Sequence, residues 1–135
     1  VYSAWLRLVI PQKEERVVEL KLESEASVWS FGFYFSFINP IFEEAFWRIF
    51  CPLAAGAKEP GLLVCSAFYG SYHSLVLAAL KLPWFMVLII TLALVGVGRL
   101  LCFACTRFGV LSAMVAHSAG DMVVILILWH WMFDW

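Results

Sequence analysis

The chain has 135 residues, 64% of them hydrophobic and 14% charged, with a formal net charge of −1. Soluble domains are about 45–50% apolar and about 25% charged, so this composition excludes an ordinary soluble domain and predicts an integral membrane protein of one domain. The near-zero charge gives no electrostatic footprint for a nucleic-acid partner.

The sequence starts at Val1 and shows no signal-peptide pattern, which predicts a start inside a longer protein, with any earlier spans lying outside this sequence. Residues 1–10 are apolar as far as Pro11, as in the tail of a span or an interfacial segment. Residues 11–26 carry the densest charge, including Lys13, Glu14, Glu15, Arg16, Glu19, Lys21, Glu23 and Glu25. They must lie outside hydrocarbon. Residues 1–26 are therefore expected to be a polar, amphipathic connector, and 27–135 the transmembrane core.

Residues 27–38 are aromatic, and Asn39-Pro40 follows. Asn caps helices well and Pro is favoured in the first turn, so a helix is expected from Pro40 to about Leu53; one long span kinked at Pro40 is the alternative. Pro52, Gly56, Lys58 and Pro60 read as a loop. Spans are expected over 61–80, 84–105 and 110–133, each long enough to cross a bilayer. Gly96 and Gly98 would permit close helix approach. Thr106 to Gly109 makes a tight turn. The fold expected is an all-α, polytopic transmembrane helix bundle of about four spans with a buried polar site. Arg7, Lys13, Arg16, Lys21 and Lys81 would share one side, with Lys58 and Arg107 opposite. The larger group predicts its side to be cytoplasmic.

Cys51, Cys65, Cys102 and Cys105 all lie in or beside apolar runs and read as buried, reduced cysteines. His130, flanked by Trp129 and Trp131, fits an interfacial aromatic belt. Arg99 is expected to snorkel towards the surface.

The ionisable residues within the spans carry the functional signal, because charge at membrane depth is costly and is usually paired and functional. Glu44 and Arg48 are four apart and can pair on one helix face, whereas Glu43 lies about 100° round and is free to act elsewhere. Tyr69 lies one helical turn from His73, and His117 one turn from Asp121. Every span except 84–105 thus offers an inward polar position, and the simplest arrangement joins them in one hydrated site. Three chemistries fit such a site. Glu43 and His73 could polarise a water, with His117 and Asp121 stabilising an oxyanion. The same groups could hold a divalent metal that activates the water. They could also relay protons or hold an ion in a transporter.

Glu43-Glu44-x-x-x-Arg48, Tyr69-x-x-x-His73 and His117-x-x-x-Asp121 resemble, in order and approximate spacing, the E-E-x-x-x-R, F-x-x-x-H and H-x-x-x-[N/D] motifs of the CAAX prenyl protease and bacteriocin-processing intramembrane proteases. The resemblance covers about residues 38–130. It implies that Glu43 and His73 activate the attacking water, that His117 and Asp121 stabilise the tetrahedral intermediate, that Glu44 and Arg48 support them, and that Tyr69 packs the site. It implies no metal cofactor, with a divalent metal as the alternative. The implied substrate is a peptide or lipidated protein among membrane lipids: a prenylated CAAX protein, a bacteriocin leader, or another anchored peptide. Two positions depart from the usual pattern. Tyr69 stands for Phe and adds a hydroxyl. Asp121 stands where many members have Asn; it would have to be protonated to donate to an oxyanion, or else orient His117 as an imidazolium. The competing reading is a non-catalytic membrane scaffold or bacteriocin-immunity protein of the same fold.

Overall fold

A computed structural model describes residues 24–56, 58–79 and 82–133, and every regular element among them is helical. The expected connector falls outside the described residues except at its end. There Ser24 accepts from the Ser27 N–H in a capping box, so Glu25 and Ala26 already belong to a helix.

The first helical run has five parts: α1 (Glu25–Phe33), a π turn π1 (Tyr34–Ile38), α2 (Asn39–Ala45), a second π turn π2 (Phe46–Phe50) and α3 (Cys51–Ala55). The helix therefore passes through Pro40 and does not start there. Asn39 is itself helical, at φ −59° and ψ −45°, so it is no N-cap. Each π turn ends two residues before a proline, Pro40 or Pro52. A helical proline lacks an N–H and its ring presses on the carbonyl four residues back, here that of Ser36 or Arg48. Both carbonyls lie in π turns, whose wider ring relieves that crowding.

The π turns also set which side chains are covered. Val28, Gly32, Ser36 and Pro40 are buried at every fourth position, and further on Glu44, Arg48 and Pro52 repeat the spacing. A regular α-helix gains about 40° at each four-residue step, so such a stripe would wind off its face. One extra residue per π turn resets the phase within each stretch.

Three further helices follow: α4 (Glu59–Ala79), α5 (Trp84–Phe108) and α6 (Val110–Phe133). Segments Glu59–Ala78, Trp84–Phe108 and Val110–Ile127 are long and apolar enough to cross a membrane. The short links have specific causes. Gly56 closes α3 at φ 91°, and the single residue Gly109 joins α5 to α6 at φ 89°, both in the left-handed region that favours glycine.

The described residues divide into two compact units, Ile41–His117 and 24–40 with 118–133. In the larger, α4 and α5 pack closely through two glycines. A Cβ on Gly70 would come within 2.8 Å of the Val95 backbone nitrogen, and one on Gly98 within 2.9 Å of Tyr69 Cδ1. Gly96, expected to share this role, faces open space. Tyr69, Leu101 and Ala113 form the buried core, with Trp47 and Cys105 against it. Ser112 donates to Ala104 O (3.0 Å), fixing the start of α6 on α5. Arg99 does not snorkel alone; it pairs with Glu59 on α4. Cys51 and Cys65 form a disulfide, where the sequence suggested two reduced thiols, and tie α3 to α4. In the other unit, Gly32 lets α1 meet Ile125 of α6, and Trp29 packs on Trp129 with centroids 6.1 Å apart.

Candidate active site

The larger unit brings Glu43, Glu44, Arg48, Tyr69, His73 and His117 together from α2, π2, α4 and α6. They form an inner, closed cluster and an outer facing pair.

Glu44 is the hub of the inner cluster. Arg48 Nε donates to its Oε2 (2.8 Å) and Nη2 to its Oε1 (3.2 Å), with both side chains 0% exposed. The four-residue spacing on one helix makes this two-pronged contact possible, and two parallel bonds fix the fork. Glu44 Oε1 also lies 2.9 Å from His117 Nδ1. A carboxylate can only accept, so Nδ1 carries the hydrogen. The guanidinium lies 4.7 Å over the Tyr69 ring and contacts Cys102 Sγ at 3.8 Å. Desolvated charge is thereby met on several sides, as low-dielectric surroundings require.

The sequence anticipated the Glu44–Arg48 pair. It did not anticipate that Glu44 would also meet His117. It also expected no inward polar group from α5, yet Cys102 reaches both Arg48 and Ser66 Oγ (3.7 Å). A lone apolar-looking cysteine gives no signal of this. Gly98 was noted only for helix approach; it makes the hollow for the Tyr69 ring.

The outer pair is Glu43 and His73. His73 Nε2 lies 3.9 Å from Glu43 Oε2, with side chains 21% and 14% exposed. His73 Nδ1 lies 2.7 Å from the carbonyl oxygen of Tyr69 on its own helix. That oxygen accepts, so the neutral ring keeps its hydrogen on Nδ1 and its lone pair on Nε2, facing the carboxylate. Tyr69 packs below it with centroids 4.6 Å apart and the rings tilted at 58°, and Tyr72 edges the ring at 5.2 Å. At 3.9 Å the pair is too long for a hydrogen bond. Two acceptors at that separation can both lie within hydrogen-bond reach of one water.

Asp121 follows His117 by four residues along α6 and belongs to the other unit. Among the described residues, no three His, Cys, Asp or Glu side chains converge as a metal-ion site.

Residues 25–123 match the model of the Rce1-like family of type II CAAX prenyl endopeptidases, and the chain belongs to that family. The match encloses every residue from Glu43 to Asp121. No curated protein and no solved structure matches the chain.

Proposed function

We propose that the protein is an integral membrane endopeptidase that hydrolyses a peptide bond of a prenylated, CAAX-type substrate with water activated by Glu43 and His73. The observation that carries this reading is the outer pair: a carboxylate and an imidazole lone pair facing each other at 3.9 Å, more open than the sealed ion pair behind them. A water held there donates one hydrogen to Glu43 and the other to His73 Nε2, leaving its lone pair for the scissile carbonyl. Glu43 takes the water's proton as the C–O bond forms and the carbonyl π pair moves to oxygen. When the intermediate collapses, the C–N bond breaks and the proton on Glu43 passes to the leaving amine.

His117 is assigned to the oxyanion. With Nδ1–H directed to Glu44, Nε2 is the other ring nitrogen, and it lies 3.5 Å from the Tyr69 hydroxyl. The Glu44 carboxylate, 2.9 Å from Nδ1, fixes the orientation of the ring. Asp121, one turn further along α6, is assigned the oxyanion-stabilising role that its motif implies, either as a protonated donor or by orienting His117. Glu44 and Arg48 hold the site's shape. The family supports a prenylated substrate, and the three apolar helices support a membrane setting.

The reaction as proposed needs no resident metal. The test is cleavage, in detergent, of prenylated and unprenylated CAAX peptides with and without EDTA. Retained cleavage in EDTA is expected, with preference for the prenylated peptides. Loss in EDTA restored by zinc would favour metal-activated water instead. A non-catalytic scaffold would bind such peptides and cleave none.

A further inference from the structure

Cys102 stands where π2, α4 and α5 meet, and the mechanism above gives it no part. Arg48 from π2 reaches its sulfur with Nη1 at 3.8 Å, and Ser66 Oγ from α4 lies 3.7 Å from the same atom. All three side chains are buried. Two features hold them at one level. A Cβ on Gly98, one turn before Cys102, would lie 3.4 Å from Ser66 Cα, so the bare glycine lets α5 come this close to α4. Cys65, next to Ser66, is bonded to Cys51, three residues after Arg48.

The direction of each hydrogen bond follows from what each group can do. Ser66 donates its one hydroxyl hydrogen to Leu62 O at 2.8 Å, so towards Cys102 its oxygen accepts. The thiol supplies that hydrogen and is therefore neutral. Its sulfur accepts from Arg48, because a guanidinium only donates. Arg48 has given Nε and Nη2 to the two oxygens of Glu44, but these partners sit four residues apart on one helical run and can swing together. The Tyr69 ring lies against the face of the guanidinium at 4.7 Å, a contact that leaves the group able to slide across the ring. The bond from Nη1 to Cys102 holds its edge, from a different helix. Glu44 in turn meets His117 Nδ1 at 2.9 Å. We propose that Cys102 is a positioning residue for the reaction: as a neutral thiol it donates to Ser66 and accepts from Arg48, and so keeps the Glu44–Arg48 pair in the place from which Glu44 orients His117. This rests on the role given to His117 above.

The test uses the full-length protein in detergent and two independent measurements. The first is infrared spectroscopy of the S–H stretching band, which lies apart from other protein bands and falls in frequency when the hydrogen is donated. The Cys102 component, identified as the part lost in Cys102→Ala, should rise in frequency in Ser66→Ala, which removes the acceptor. The second is kinetics on a prenylated peptide. Serine and alanine are close in size, so the packing lost with the sulfur is common to Cys102→Ala and Cys102→Ser, while the serine hydroxyl can still donate and accept. kcat should fall roughly twofold to tenfold in Cys102→Ala, the worth of one ordinary hydrogen bond, with KM unchanged, and Cys102→Ser should recover part of the loss. Should Cys102→Ala fold poorly, Cys105→Ala removes the other free thiol and isolates the Cys102 band. A Cys102 band that is absent, or unmoved by Ser66→Ala, in folded protein overturns the proposal whether or not any peptide is cleaved. Equal kcat in Cys102→Ala and wild type, or equal losses in Cys102→Ala and Cys102→Ser, overturns it too. A wild type that cleaves nothing refutes the protease reading instead, and the band then decides whether Cys102 is anchored as proposed.

Discussion

Adjacent glutamates, Glu43 and Glu44, have different surroundings. Glu44 is sealed, with Arg48 and His117 on its oxygens. Removing Arg48 would leave that carboxylate buried without its main counter-charge. Arg48→Ala should therefore cost about 3–5 kcal/mol. Glu43, partly exposed beside His73, should cost much less on conversion to Ala. Thermal unfolding of the two variants checks this; equal losses would contradict the division of labour. Gly98→Ala offers a second check, because its Cβ would meet the Tyr69 ring at 2.9 Å. A loss of about 1–3 kcal/mol is expected, with lower activity as Tyr69 moves. At this scale the sequence was informative wherever the interaction is local. Four-residue spacings on helices foretold Glu44 with Arg48 and Tyr69 beneath His73. The His117–Glu44 contact joins residues 73 apart in the chain, and no periodicity encodes it.

Among the elements, the first helical run is the one the sequence left ambiguous. Asn39-Pro40 reads equally well as a helix start or a kink, since both need the same missing N–H. The structure excludes the start: one helical run passes through Pro40, with a π turn ending two residues before each proline. The α4–α5 pair depends on backbone proximity. Gly70→Ala would drive a Cβ into the Val95 nitrogen and the Thr91 carbonyl, which are main-chain atoms with no rotamer to change. The helices must separate, so Gly70→Ala should destabilise more than Gly96→Ala, which meets nothing; equal melting temperatures would contradict the packing. The cysteines show a different limit of sequence reading. An apolar cysteine looks the same whether paired or free, yet Cys51 and Cys65 are joined and Cys102 and Cys105 are not. Alkylation of the denatured, unreduced protein should label Cys102 and Cys105 and spare Cys51 and Cys65; labelling of all four would contradict the pairing.

For the molecule as a whole, composition, three long apolar helices and the family match agree on a membrane-embedded protein of the CAAX endopeptidase family. The mechanism proposed above rests on a difference of exposure across the polar site: the Glu44–Arg48 pair is sealed, and the Glu43–His73 pair is more open. The measurement that tests this most directly compares wild-type full-length protein with Glu43→Gln on one prenylated CAAX peptide in detergent, with unfolding curves for both. The account predicts cleavage by the wild type and a fall of roughly a hundredfold to ten-thousandfold in Glu43→Gln at unchanged stability. Cleavage by folded Glu43→Gln at the wild-type rate would contradict it.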